Sequence, residues 1–302
     1  MHDIIIIGAG PAGLTAALYA LRADKSVLVL EKGTFGGQIT YSPQIENYPG
    51  FASMSGNEFA EKLVDQVISQ GAEIEMETVT AIRDNGATKT VVTEDGEHEA
   101  KAVIIATGVK HRQTGLPNEN ELVGAGISYC AVCDGAFFKG QTVAVLGGGN
   151  SALQEAVLLS DTCKKVYVIQ NLDYFTGEAR LVEKLKEKDN VEFIMGTVIS
   201  ELKGKKSLEG LVLKKESDSS ITELAVDGLF VAIGLIPNNA AFADIAGLNE
   251  WGYIDSNESC VTKTAGVFVA GDCRQKQIRQ ITTATADGSI AALAACKYID
   301  AM

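Results

Sequence analysis

The chain has 302 residues, of which 46% are hydrophobic and 22% charged. That composition supports a large buried core and excludes a disordered chain, and a length of this order predicts about two domains. With 26 basic against 39 acidic side chains the formal charge is −13, which argues against a general grip on nucleic-acid phosphates.

Residues 4–7 form the first predicted strand, a run of four isoleucines that leads into Gly8-Ala9-Gly10-Pro11-Ala12-Gly13 and then a helical pattern. Residues 4–21 are uncharged and have the length of a membrane span. The glycines and Pro11 interrupt them, and the flank is His2-Asp3 rather than basic, so the reading is strand, tight turn and helix. No membrane span and no secretory leader are expected, and the chain is expected to be cytoplasmic. In the turn, Gly8 permits the bend, Gly10 lets the backbone approach a pyrophosphate at the positive end of the helix, and Gly13 lets helix and strand pack closely. A second apolar run covers 27–30. It ends at Glu31, 23 residues after Gly8, where an acid binds a ribose hydroxyl.

Residues 103–108, VIIATG, read as a buried strand with a small-residue turn, followed by a crossing segment. Cys130-Ala-Val-Cys133-Asp134 comes next. Two thiols at this spacing can close a small disulfide ring, and the setting lowers a thiol pKa. Half a zinc site and inert thiols are the alternatives. Structural zinc needs about four ligands, whereas Cys163, Cys260, Cys273 and Cys296 are scattered singly and the histidines are only His2, His98 and His111. No metal is expected. Asp134 is the nearest candidate to pass a proton to a leaving thiolate, with a plain turn role as the alternative.

Residues 142–152, TVAVLGGGNSA, echo the first unit and lead to a second apolar run at 166–169. After them come LFVAIGLIPN (229–238), GVFVAGDC (266–273) and an alanine-rich helix from about Ile281. The prediction is an α/β fold of two Rossmann-like, three-layer dinucleotide-binding-type domains, the second inserted in the first. The first comprises 1–112 and 240–302; the second, 113–239, bears the CxxC pair.

These motifs, with GGQ (36–38), ENYPG (46–50), ATG (106–108), CAVCDG (130–135) and RQITTATADG (279–288), resemble the low-molecular-weight thioredoxin reductases over nearly the whole chain. The resemblance implies FAD in the first domain. Gly8, Gly10, Pro11, Ala12 and Gly13 would hold the pyrophosphate, and Glu31 and Lys32 the ribose side. Gly36, Gly37, Gln38, Asn47, Ala106, Thr107 and Gly108 would line the cofactor. Gly271 and Asp272 would meet the ribityl chain, and Arg279, Gln280 and Ile281 the ring. It further implies that Cys133 faces the flavin, that Cys130 attacks the disulfide of thioredoxin, that Asp134 is the acid, and that the protein is a homodimer.

The second nucleotide loop departs from the pattern. Gln170 stands 23 residues after Gly147, where an acid would select NAD, and arginines nearby would select NADP. NADPH-dependent members carry a His-Arg-Arg run and a further Arg; here those places are Gln170, Asn171, Leu172 and Thr176. The chain therefore most resembles the ferredoxin-dependent flavin thioredoxin reductase branch. A ferredoxin near −400 mV lies about 6 kcal/mol uphill of thioredoxin near −270 mV for two electrons. Ferredoxins are usually acidic, as is this chain, so a local basic patch is expected, with Lys110, His111, Arg112, Arg274, Lys276 and Arg279 as candidates. An NAD(P)H-dependent reductase, an oxygen-using FAD dithiol oxidase and a non-enzymatic flavin-binding module are the alternatives.

Overall fold

The computed structural model describes residues 1–42 and 44–302, and these divide into two compact units, Met1–Lys110 with Ile236–Met302, and His111–Leu235. The first unit opens with β1 (His2–Ile7), α1 (Pro11–Arg22) and β2 (Val27–Glu31). After α2 (Gly56–Ser69) come β3 (Glu73–Met76), β4 (Val79–Asp84), β5 (Lys89–Thr93) and the long β6 (Glu97–Ile105). Strand β7 (Val109–His111) leads out of this unit.

In the second unit α3 (Glu119–Leu122), β8 (Ile127–Ser128) and the single-turn α4 (Ala131–Asp134) precede β9 (Thr142–Leu146), α5 (Asn150–Ser160), β10 (Lys165–Ile169), α6 (Ala179–Lys186) and β11 (Val191–Ile194). An antiparallel meander of β12 (Thr197–Lys203), β13 (Gly210–Lys215) and β14 (Ile221–Leu224) follows, then β15 (Gly228–Val231). Strand β16 (Leu235–Pro237) pairs with β7 as the chain returns, and α7 (Ala243–Ala246), β17 (Val267–Val269) and α8 (Ile281–Asp300) complete the first unit.

Each unit repeats one layout. The first has parallel strands in the order β3-β2-β1-β6, and β6 continues on its other edge into β17 along one half and the antiparallel β5-β4 ribbon along the other. The second has β11-β10-β9-β15-β8, all parallel. The central strands read as continuous apolar runs because both faces are covered. In β1 and β6, Ile4, Ile5, Ile6, Val103, Ile104 and Ile105 have no exposed surface.

Helices α1 and α8 pack on one face of the first sheet, and both bury small residues: Ala12, Ala16, Ala17 and Ala20 against Ala284, Gly288, Ala291, Ala292 and Ala295. A Cβ on Gly288 would sit 2.2 Å from the Ala12 carbonyl oxygen, so the approach of the two helices requires glycine there. Among the described residues no helix is long and apolar enough to cross a membrane.

A buried ion cluster pins the turn after β17 to α8. Asp287 accepts from Arg274 Nε at 2.8 Å and Nη2 at 2.9 Å, from Lys276 Nζ at 2.8 Å and from the Gly271 amide at 3.0 Å. Burial pushes the Asp287 carboxyl up, but the two cations outweigh it and hold it below the usual range. Asp287→Ala is expected to destabilise the protein by about 3–5 kcal/mol, because two cations are left buried without their counter-charge. Thermal unfolding should show it as a fall in Tm of roughly 10 °C.

Candidate functional site

In the first unit, β1 ends where Gly8 donates to Leu30 O at 2.8 Å and Gly36 donates to Ala9 O at 2.8 Å. Helix α1 begins at once, with Gly10 as its cap and Pro11 in its first turn, where a missing N–H costs nothing. The Glu31 carboxylate is held by the Ala9 amide at 2.8 Å and the Gly33 amide at 2.8 Å, so a positioned negative group stands beside the positive end of α1. Ala106, Thr107 and Gly108 lie at the end of β6, where the Ala106 amide donates to Ile7 O at 2.8 Å.

The segment after β17 completes this end of the sheet. Asp272 sits in a 3-10 turn, Gly271–Cys273. Its Oδ1 is shielded from solvent and has no hydrogen-bond partner, and burial raises its carboxyl to about 6, against the pull of Lys276 and Arg279. Arg279 lies 4.5 Å over the Tyr253 ring and reaches Asp272 O at 3.5 Å. Gln280 caps α8 ahead of Ile281, and its side chain accepts from Asn47 at 3.3 Å. Gly37 and Gln38 begin a second 3-10 turn, Gly37–Tyr41. Lys32 is exposed.

This set fits a dinucleotide cofactor: a small-residue cradle at a helix N-terminus, an anchored carboxylate, and an orphaned buried oxygen on Asp272 that a polyol hydroxyl would satisfy. Sequence reasoning missed Asn239, which is 1% exposed. It accepts from Thr107 at 3.0 Å and donates to Gly252 O at 2.9 Å and Cys273 O at 2.8 Å, joining the end of β6 to the Asp272 turn.

In the second unit Cys130 and Cys133 form a disulfide. Cys130 is the cap of α4, and its Sγ accepts from the Cys133 amide at 3.2 Å. A helix N-terminus there favours a thiolate on Cys130 once the bond opens. Val132, between the two sulfurs in sequence, is 60% exposed, whereas Ala131 beside it is buried and both cysteines are half-buried. Asp134 Oδ2 accepts from Ser128 Oγ at 2.6 Å, while Oδ1 is shielded and unpartnered. Burial raises the Asp134 carboxyl, opposed by the Ser128 bond. Ser128, which also takes the Cys130 amide at 3.1 Å, carried no sequence signal.

The second glycine loop is built differently from the first. Gln170 is 5% exposed and lies against the loop: a Cβ on Gly148 would be 2.3 Å from its Nε2. That amide donates to Tyr174 O at 3.3 Å. The 174–178 segment closes on the same loop. The Thr176 and Gly177 amides both donate to Gly148 O at 2.9 Å, and the Glu178 amide donates to Asn150 Oδ1 at 2.7 Å at the start of α5. Where the first cradle presents a carboxylate, the second presents a carboxamide turned onto its own loop. Arg180, the nearest arginine, is paired with Glu178 and 79% exposed.

The expected basic patch is corrected. Arg274 and Lys276 are buried on Asp287. His111 is stacked on Tyr129 at 4.9 Å, and burial lowers its pKa to about 4, so it is neutral at pH 7. Arg279 is half-buried over Tyr253. Lys110 and Arg112 remain exposed. Because the unfolded chain binds a proton on His111 near pH 6.5 and the fold does not, stability should fall as pH drops from 6.5 to about 4. His111→Phe keeps a ring for Tyr129 and should flatten that acid limb by up to one proton in urea unfolding at pH 7, 5.5 and 4.5.

Fold and sites together define a flavoprotein-type disulfide oxidoreductase with two nucleotide-binding-type units. The chain belongs to the pyridine nucleotide-disulphide oxidoreductase family, whose model matches residues 2–288, and within it to the low-molecular-weight thioredoxin reductases. It is 40% identical to the thioredoxin reductase of Bacillus subtilis over 99% of this chain and 95% of that one. It is 42% identical to a "34.2 kDa protein in rubredoxin operon" of Clostridium pasteurianum, over 98% and 97%. The solved thioredoxin reductase of Streptococcus pyogenes superimposes with a TM-score of 0.96 at 40% identity, over 100% of this chain and 99% of that one.

Proposed function

We propose that this protein is an FAD-dependent thioredoxin reductase whose first domain, 1–112 with 240–302, binds FAD, whose inserted domain, 113–239, carries the redox disulfide, and whose electron donor is reduced ferredoxin. Gly8, Gly10 and Gly13 with the α1 N-terminus hold the pyrophosphate, Glu31 the ribose and Asp272 the polyol chain. Bound FAD supplies the means to gather single electrons and deliver a pair. Cys133 is the sulfur that would face the bound cofactor, and Cys130, at the cap of α4, is the thiolate that attacks thioredoxin. A mixed disulfide forms through Cys130, Cys133 resolves it, and Asp134 holds the proton that the leaving sulfur needs.

The single observation behind ferredoxin as donor is the buried Gln170 amide lying on Gly148 in place of an acid, with no arginine run beside it. A second reading, NAD(P)H as donor, is favoured by the thioredoxin reductases among the relatives and by the name of the matching family. Anaerobic stopped-flow separates the readings. Reduced ferredoxin should bleach the flavin and drive thioredoxin reduction, while NADPH and NADH at micromolar concentration leave the flavin oxidised. Rapid bleaching by either nucleotide overturns the donor assignment and leaves the flavin-to-disulfide path intact.

A further inference from the structure

Ser128 is the last residue of β8 and is 4% exposed. Its hydroxyl stands between two parts of the CxxC turn. It accepts from the Cys130 amide at 3.1 Å and donates to Asp134 Oδ2 at 2.6 Å. The turn also closes on itself, since the Asp134 amide donates to Cys130 O at 3.0 Å. One buried oxygen therefore ties the cap of α4 to the carboxyl at its far end. In open parallel sheets, sites lie beyond the carboxyl ends of the strands, and Ser128 stands at that end of β8, which pairs in parallel with β15.

The wiring has a direction, because a hydroxyl carries one hydrogen. Given to Asp134 Oδ2, it makes a contact of the length of a charge-assisted O–H···O⁻ bond, about 2.5–2.7 Å. Were Asp134 to donate from Oδ2 instead, the serine hydrogen would be left with Cys130 O, 3.5 Å away, at the limit of a hydrogen bond. The first wiring is favoured, so Oδ2 is occupied as an acceptor. The other oxygen, Oδ1, is shielded and unpartnered, and it is the place left for a proton. The 3-10 turn Gly135–Phe138 and helix α5 pack on α4. The turn carries no titratable side chain and α5 carries one, the carboxyl of Glu155. Neither brings a cation that would compete with Ser128 for Asp134.

We propose that Ser128 is a positioning residue for thiol–disulfide exchange. By filling Oδ2 of Asp134 it fixes Oδ1 as the oxygen that carries the exchangeable proton. By holding the Cys130 amide it keeps that carboxyl in place on the CxxC turn. The inference rests on the reading of Asp134 as the acid. The step it serves balances with a dithiol as reductant. A thiolate of the dithiol attacks Cys130 Sγ, the Cys130–Cys133 bond breaks, and Cys133 leaves with the electron pair and takes the proton from Oδ1. The second thiolate closes the reductant's own disulfide and displaces Cys130 as a thiolate. Two electrons pass from the dithiol to the cysteine pair. The dithiol's two protons go to solvent, and Asp134 recovers one from solvent.

The test follows the opening of the disulfide by dithiothreitol in the full chain with its flavin, without oxygen, from about pH 5 to about pH 9. Alkylation of the released thiols is the readout, and rates are divided by the thiolate fraction of the reductant. In the unsubstituted protein the corrected rate should fall as pH rises through the titration of Asp134, and Asp134→Asn should abolish that limb. In Ser128→Ala the proton settles on either oxygen of an untethered carboxyl. The low-pH plateau should then drop about tenfold, a share of the roughly hundredfold or more that a well-placed acid provides. The limb should also move to higher pH, because the donor that favours the carboxylate is gone. Ser128→Thr should restore plateau and limb. Its near-isostere Ser128→Val should behave like Ser128→Ala, which separates the hydroxyl from the volume. An unmoved plateau and limb in Ser128→Ala overturn the proposal and leave Asp134 as the acid, as do equal profiles in Ser128→Thr and Ser128→Val. Slowing with no movement of the limb assigns Ser128 to packing and overturns it too. A limb that survives Asp134→Asn overturns the acid reading itself, and the positioning role with it.

Discussion

Replacing Gly13 by alanine is expected to empty the first cradle. The added Cβ would lie 1.9 Å from the Gly8 carbonyl oxygen and 3.3 Å from Ile6 Cγ2, with backbone rather than a flexible side chain as the obstacle. Helix α1 must move off the end of β1, and its N-terminal amides move with it. Overpacking of this kind costs roughly 1–3 kcal/mol. An equal loss from flavin binding is a fall in affinity of roughly fivefold to 150-fold. The ratio of flavin to protein absorbance after purification should drop accordingly, and thioredoxin reduction with it. Gly33→Ala is the control, because its Cβ meets nothing nearer than Glu31 Oε1 at 3.6 Å; it should purify with its full complement of flavin. A Gly13→Ala protein with undiminished flavin would place the cofactor elsewhere.

Cys130→Ser and Cys133→Ser should each abolish thioredoxin reduction, by about a thousandfold or more, since a hydroxyl neither forms nor leaves from a disulfide under these conditions. Flavin content should be unchanged, because the pair lies in the other unit. The two variants differ in a second readout. With the helix cap on Cys130 stabilising its thiolate, Cys133→Ser should trap thioredoxin as a stable mixed disulfide through Cys130, visible on a non-reducing gel. Cys130→Ser should trap none. The reverse pattern would exchange the roles of the two sulfurs, and full activity in either variant would remove the pair from the reaction.

The two glycine turns, the apolar runs before them and the CxxC pair were legible in the amino-acid sequence because each is a local requirement. A strand buried on both faces must be apolar along its length, a helix that starts against a strand end needs glycine where backbones touch, and a four-residue disulfide ring needs its cysteines three apart. The fold class and the resemblance to thioredoxin reductases follow from those local signals in order. So does the contrast between Glu31 and Gln170, because the spacing to each glycine loop is the same.

What a charge does once folded was not legible, since the type of a side chain does not reveal its surroundings. Arg274 and Lys276 read as a candidate docking surface, but the fold buries both on Asp287 of α8, thirteen and eleven residues further along and in direct hydrogen-bond contact. His111 reads as a cation, yet its stack on Tyr129 keeps it neutral. Local geometry is written in glycine, periodicity and spacing. Ionisation depends on desolvation and on partners that the chain brings together from distant positions, and these exist only once the tertiary structure has formed.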